Sequence, residues 1–199
     1  MDIIDAAERV IFSKGYDSAT MDDISKEAEF SKRTVYVYFT SKEQIYFEIM
    51  TRGYRLLDQM LSPDPQISHP AALDRMRQIG TVLYDFSNKY PAYFNAIMQY
   101  ENGEMDFEKN ITEESREECY RLGEQILGYL TDTLREGMKQ GVIRSDIEPV
   151  NTALVLWACT LGVFSTVKTK NQYIQHYHHT SPKQFVSGAF EMLIRSIAL

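Results

Sequence analysis

The sequence predicts an all-α protein, in which an N-terminal three-helix unit is fused through a fourth helix to a larger C-terminal helical bundle. Apolar residues recur with the 3.6-residue period of helices along nearly the whole chain, and no strand-like alternation persists. Proline and glycine, which interrupt helices, are sparse, at 6 and 10 of 199 residues. A chain of this length is sufficient for one or two domains with a real core.

The first three helices are short, and each has a recognisable boundary. The first is predicted at about residues 2–14. Thr20 begins the second helix, with Asp23 three residues later in a capping-box position. Glu29 lies in the turn that follows, and Ser31 is suited to cap the third helix.

The fourth helix is predicted at about residues 41–61, starting from a capping box of Thr40 and Glu43. A domain boundary is expected inside it, which gives domains at 1–48 and 49–199. Further helices are predicted at about 70–89, 92–100, 112–140, 149–168 and 181–198, with a polar, histidine-containing loop before the last of them.

The net charge and the cysteine positions limit the classes of partner and the cellular compartment that the sequence allows. The net charge of -7 argues against indiscriminate binding to nucleic acid or anionic lipid. Cys119 and Cys159 lie far apart, which is typical of free thiols in a reducing compartment. Because Asp2 and Asp5 stand where a signal peptide has basic residues, we expect no signal peptide and a cytoplasmic protein.

The segment 149–167 contains no charged residue and is nearly long enough to cross a membrane. Its asparagine, threonine and serine residues, and its lack of basic or aromatic flanks, favour a helix buried in protein or in a subunit interface. We therefore expect no membrane partner.

The third helix presents hydrogen-bonding groups outward around a single apolar seam. Val35 and Phe39 fall on the inward side of a helical wheel. The outward side holds Arg33, which can bond guanine bidentately, and Val37, whose methyl groups can meet the methyl group of thymine. Three cations and no carboxylate lie between Phe30 and Lys42. These features predict a DNA-reading helix, the alternative being a solvated surface helix.

Roughly the first 48 residues resemble the TetR family signature in order and spacing, without a gap. The resemblance rests on Gly15-Tyr16, Ala19-Thr20-Met21-Asp22-Asp23-Ile24, Ala28, Phe30-Ser31, Thr34-Val35-Tyr36-Val37-Tyr38-Phe39 and Ser41-Lys42-Glu43. It implies a helix-turn-helix at 20–39 that binds double-stranded operator DNA. Glu29 departs from the pattern, because the family usually has glycine there; if its backbone is left-handed, the side chain costs about 1 kcal/mol.

The resemblance also implies residue roles in DNA binding. Thr20 corresponds to a phosphate contact, and Lys42 to a clamp on the DNA backbone. The contacts of the third helix with bases or phosphates are expected from Ser31, Lys32, Arg33, Thr34, Tyr36, Val37 and Tyr38.

For the second half, the resemblance implies a ligand-responsive repressor that binds a palindromic operator as a homodimer and is released by a small-molecule effector. The last two long helices would pair with their copies in a four-helix interface that includes Leu154, Trp157, Ala158, Leu161, Gly162, Phe185, Ala189 and Met192. An effector pocket is expected among Met60, Met76, Phe86, Phe94, Met98 and Tyr120, although ordinary core is the alternative for each of them.

Two other classes of site are disfavoured. His176, His178 and His179 offer imidazole ligands for a metal such as zinc, but no cysteine or carboxylate stands beside them, and we expect a surface loop. The chain lacks HExxH, GxSxG and a glycine-rich phosphate loop, so we expect neither an enzyme nor a cofactor.

Overall fold

A computed structural model of the chain describes residues 3–62, 71–102 and 113–199. These residues form nine helices: α1 Ile3–Lys14, α2 Met21–Glu27, α3 Lys32–Tyr38, α4 Lys42–Leu61, α5 Ala72–Lys89, α6 Pro91–Asn102, α7 Glu113–Lys139, α8 Pro149–His178 and α9 Pro182–Ile197. The predicted all-α class is confirmed. The predicted starts of the fifth and seventh helices, at residues 70 and 112, lie outside the described residues.

The helices group into two compact units. The first comprises residues 1–56 and 90–123, and the second comprises residues 57–89 and 124–199. The first unit thus adds α6 and the first part of α7 to the N-terminal helices. The second unit contains α5, the rest of α7, α8 and α9.

The core of the first unit forms where α1 to α4 meet. Ala6, Ile24, Val35 and Ile45 are completely buried there. The Thr20 side chain accepts a hydrogen bond from the backbone N–H of Asp23, and the carboxylate of Asp23 accepts one from the backbone N–H of Thr20. The capping box predicted at the start of α2 is therefore confirmed.

The capping box predicted for α4 is wrong by one residue. The hydroxyl of Ser41, not that of Thr40, accepts a hydrogen bond from the backbone N–H of Gln44. The side-chain oxygen of Gln44, not Glu43, accepts from the backbone N–H of Thr40. Both residue pairs satisfy the same local spacing rule, so the sequence alone did not separate them.

In the first unit, α6 contacts both α1 and α4. The phenol of Tyr93 in α6 donates to Glu8 of α1 at 2.8 Å, and its ring packs edge-on against Phe12 at 5.3 Å. The phenol of Tyr46 in α4 donates to the backbone oxygen of Ala96 at 3.0 Å. These contacts join the N-terminal helices to α6 through buried and half-buried side chains.

The second unit packs α5 and α7 against α8 and α9. A Cβ atom at Gly80 would lie only 2.9 Å from the ring of Phe190, so glycine permits close approach of α5 to α9. Apolar side chains around Thr160 and Phe190 line a partly open cavity of about 40 Å³. Within the described residues, the single β-type pairing is an isolated bridge between Ile143 and Ala198.

The predicted histidine-containing loop is wrong, because α8 continues through it to His178. Lys170 interrupts the helix with a non-helical backbone conformation (φ −117°, ψ 17°). Beyond this kink Ile174 is buried, and His179 ends the helix with left-handed φ of 50°. The buried Ile174 is consistent with a helix that resumes after the charged and polar residues that suggested a loop.

Helix α8 exposes much apolar surface. Leu154 and Val155 are 48% and 60% exposed, and Met192 of α9 is 66% exposed. By length and composition α8 could cross a membrane, a test that core helices of soluble proteins also pass. Leu161, predicted at a dimer interface, is buried within its own chain.

Candidate nucleic-acid interface

The candidate interface is the α2–turn–α3 segment of the first unit. Ala28 closes α2 by donating its backbone N–H to Ile24, and Phe30 donates to the carbonyl of Ser25 at 3.0 Å. Between them Glu29 has φ of 59°, in the left-handed region that favours glycine. The backbone conformation anticipated at Glu29 is thus present, and the Glu29 side chain is exposed.

Helix α3 has one buried residue, and most of its other side chains are exposed. Val35 is completely buried, whereas Val37 is 75% exposed and Tyr38 is 65% exposed. Arg33 and Tyr36 are exposed beside them. We call Arg33, Tyr36, Val37 and Tyr38 the reading face. It combines a planar cation, two phenols and an aliphatic group, the side-chain types that contact base edges and phosphates.

Three hydroxyl groups of the predicted site serve the protein's own helix starts. Ser31 accepts from the backbone N–H of Thr34, and the two side-chain hydroxyls share a hydrogen bond of 2.7 Å. The hydroxyl of Thr20 donates to Asp23 at 2.8 Å. Thr20 and Ser31 are exposed, and Thr34 is half-buried, so these oxygens fix the helix ends at the surface.

The predicted cations occupy different environments. Lys32 forms an ion pair with Asp22 at 2.6 Å, which raises the pKa of the Lys32 ammonium. Arg33 has no hydrogen-bond or ion-pair partner among the described residues. Its guanidinium is therefore the available charge of the reading face.

Lys42 points into the first unit. Its ammonium donates to the backbone oxygens of Tyr16 and Ala19 at 2.7 and 2.8 Å and lies 4.3 Å from the centre of the Tyr16 ring. The phenol of Tyr16 donates to Glu43. Burial, followed by the charge of Glu43, raises the pKa of this phenol far above its usual range. Lys42 thus holds the loop that leads into Thr20.

The N-terminal segment that contains the α2–turn–α3 segment and the reading face also matches a known family. Residues 3–49 match the family model described as bacterial regulatory proteins, tetR family. This range covers the buried α1–α4 core, the Thr20 capping box and the reading face. The matched segment is therefore a TetR-type helix-turn-helix region, and the match supports a transcriptional regulator of the TetR type.

Curated relatives agree with this assignment. The chain is 27% identical over 192 residues to the uncharacterized HTH-type transcriptional regulator YhgD of Bacillus subtilis, covering 96% of this chain and 92% of YhgD. It is 25% identical over 132 residues to IcaR of Staphylococcus aureus, an HTH-type negative transcriptional regulator of the biofilm operon icaADBC, covering 66% and 69% of the two chains. Because these relatives are regulators, the prediction that the chain is not an enzyme is confirmed.

A solved structure shares the fold of this chain. AibR, crystallised in complex with isovaleryl coenzyme A and operator DNA, is 20% identical, with a TM-score of 0.69 and coverage of 96% of each chain. This similarity supports the N-terminal helix-turn-helix and the helical remainder.

The predicted effector-pocket residues are divided between the two units. Met60, Met76 and Phe86 belong to the second unit, whereas Phe94, Met98 and Tyr120 belong to the first. Of the six, Met76 lines the cavity near Thr160. Phe86 is buried and Tyr120 is half exposed. Individual pocket residues were not predictable from a general enrichment in Met and aromatic residues.

Sequence reasoning also missed Asp22 and Phe190. The pair between Asp22 and Lys32 joins residues ten apart on two short helices, and no periodic pattern indicates it. Phe190 borders the cavity and packs against Gly80. The small residue at Gly80, on an otherwise buried face of α5, was the available signal for a close contact.

Proposed function

We propose that this TetR-type regulator is a homodimeric repressor that binds a palindromic operator and is released by a small-molecule effector. The observation that carries the proposal is the reading face, a set of exposed side chains on a helix fixed by the buried Val35. Exposing Val37 and two tyrosines to water has no benefit for a helix that binds nothing. In this proposal residues 1–48 bind DNA and residues 49–199 bind effector and dimerise.

Within the proposed DNA site, Arg33 reads guanine, and Val37 contacts thymine methyl groups. Tyr36 and Tyr38 reach phosphates or base edges, and Thr34 lies beside them on α3. Thr20, Ser31, Lys32 and Lys42 complete the predicted contact set. The contacts of Lys42 with the carbonyls of Tyr16 and Ala19 support a role in positioning Thr20, in addition to a clamp on the DNA backbone.

The proposed homodimer forms through α8 and α9. Leu154 and Met192 are exposed apolar side chains, and Ala158 and Gly162 are exposed small residues of α8 that permit close helix approach. Predicted interface residues Trp157, Phe185 and Ala189 are half-buried. Obligate interfaces bury about 2,000 Å² or more and are apolar, which suits this face. Two reading faces would then lie about 34–36 Å apart on a palindromic operator.

The proposed effector site lies among the helices of the C-terminal half. The cavity of about 40 Å³ is smaller than typical ligand pockets of roughly 300–1,000 Å³, so a ligand there requires rearrangement of side chains such as Phe190. The ligand named for AibR supports small-molecule control in proteins of this fold. Contacts of Tyr93 and Tyr46 in the first unit offer a route through α6 and α4 to the DNA-binding helices.

Repression, rather than activation, is proposed from IcaR, which is named as a negative regulator. The test begins with selection of bound sequences from a random DNA pool by the purified protein. The proposal expects enrichment of one two-fold symmetric sequence, repression of a reporter carrying it upstream of the coding region, and release by a compound found in a ligand screen. Enrichment of no sequence, or reporter activation, contradicts it.

A further inference from the structure

The ion pair between Asp22 and Lys32 lies beside the reading face. Its atoms, Oδ1 and Nζ, are 2.6 Å apart, and the side chains are 68% and 57% exposed. Asp22 belongs to the first turn of α2 and Lys32 to the first turn of α3. The pair therefore joins the two helices of the helix-turn-helix at the protein surface.

Most other cations near the site are also engaged. Arg9 pairs with Glu27 at 2.6 Å, and Lys14 pairs with Asp23 at 2.7 Å. Lys42 donates to two backbone carbonyls. Within the described residues 3–50, Lys26 and Arg33 are the cations for which the structure gives no hydrogen-bonded or ion-paired partner.

A DNA phosphate offers Lys32 little that Asp22 does not already supply. A carboxylate and a phosphodiester each present one negative charge shared by two oxygens. Moving Lys32 from Asp22 to a phosphate therefore replaces one charge-assisted hydrogen bond with another of similar strength. A phosphate that approaches the Lys32 ammonium also approaches the Asp22 carboxylate within the screening length of about 8–10 Å. Repulsion between these two anions opposes the exchange.

We propose that Asp22 acts as an internal substitute for a DNA phosphate, holding Lys32 so that this lysine adds almost nothing to DNA affinity. The proposal rests on the proposed DNA-binding function and changes the role of Lys32 within it. Arg33 is then the cation of α3 that contacts the DNA. Because unmasked cations strengthen binding to every sequence, masking Lys32 reduces the sequence-independent part of the affinity.

A double-mutant cycle tests the proposal with full-length protein and a scrambled 24-base-pair duplex, by fluorescence anisotropy between about 50 and 200 mM salt. Asp22→Asn is expected to tighten binding about 3- to 8-fold at 0.1 M salt and to steepen the log–log salt slope by about 0.9 for each DNA-binding head. Lys32→Gln alone is expected to weaken binding less than the same change does in the Asp22→Asn background, because a paired lysine contributes little and only the uncovered Asp22 carboxylate then repels the DNA. Lys32→Gln in the Asp22→Asn background is expected to reverse the gain.

Two results would overturn the proposal. If Lys32→Gln weakens binding equally with and without Asp22→Asn, Lys32 contacts DNA despite the pair. If Asp22→Asn tightens binding equally in the Lys32→Gln background, Asp22 acts by general repulsion. Asp22→Glu retains the charge and is expected to bind like the wild type.

Glu27→Gln is the matched control, since it removes the same charge from another exposed pair of 2.6 Å in the same unit. It is expected to change affinity without any dependence on Lys32. Thermal unfolding of each variant reports whether α2 and α3 remain folded. Because the cycle uses non-operator DNA, it does not depend on sequence preference. A protein that shows no sequence preference contradicts the proposed function alone. Additive effects of Asp22→Asn and Lys32→Gln contradict the role of Asp22 alone.

Discussion

At the scale of single residues, the candidate site combines predictable and unpredictable features. The caps at Thr20 and Ser31 and the burial of Val35 follow from local sequence rules and are present in the structure. The engagement of Lys32 by Asp22 and of Lys42 by the Tyr16 and Ala19 carbonyls depends on tertiary contacts. Spacing along one helix contains no information about such contacts, so the sequence indicated the cations but not their partners.

Glu29 provides a prediction about stability. Since its φ of 59° is strained for a residue with a side chain, Glu29→Gly is expected to increase the free energy of unfolding by up to about 1 kcal/mol. Urea denaturation measures the change. Lys26→Gly, at an ordinary helical position of α2, is the control and should lower stability by a similar amount. A loss of stability in both variants would argue against strain at Glu29.

Arg33 provides a prediction about specificity. Because its guanidinium is exposed and without a partner among the described residues, Arg33→Ala should lower affinity for a selected operator about 5- to 150-fold, the range of one bidentate base contact. Binding to scrambled DNA should weaken much less. Competition binding with both duplexes measures the two effects, and equal losses on both would assign Arg33 to phosphates.

At the scale of elements, helix starts were predicted better than helix ends. The capping chemistry of α2 and α3 is local, and the hydroxyls of Thr20 and Ser31 accept the expected backbone hydrogen bonds. The extension of α8 to His178 was missed because polar residues mask the single buried position at Ile174. Whether a helix resumes after a kink depends on the tertiary packing of its few apolar residues, which the sequence does not show.

The α2 cap is expected to respond to acid. The hydrogen bond from Lys14, then that from Thr20, lowers the pKa of Asp23 to about 2. A folded-state pKa below the unfolded value of about 3.9 means that the contribution is complete above pH 4 and is lost as pH falls towards 2. An NMR titration of the Asp23 carboxyl should give a midpoint near 2. A midpoint near 4 would contradict the capping contacts.

At the scale of the whole molecule, the proposed dimer forms through the apolar surface of α8 and α9, so a change to that surface is expected to change the mass of the protein in solution. Leu154→Glu places a charge on the proposed interface and should convert a dimer of about 46 kDa, twice 23.1 kDa, into a monomer. Light scattering after size exclusion measures this mass. Gln78→Glu, at an exposed position of α5, should remain dimeric. A monomeric wild-type protein would contradict the proposed interface.

Sequence-specific DNA binding by α3 can be tested directly. The affinities of the purified wild-type protein are compared for the duplex enriched from a random pool and for a scrambled duplex of the same composition, at physiological salt. The enriched duplex is expected to be two-fold symmetric and to bind at least about 10³-fold more tightly. Equal affinity for the two duplexes would contradict sequence-specific binding.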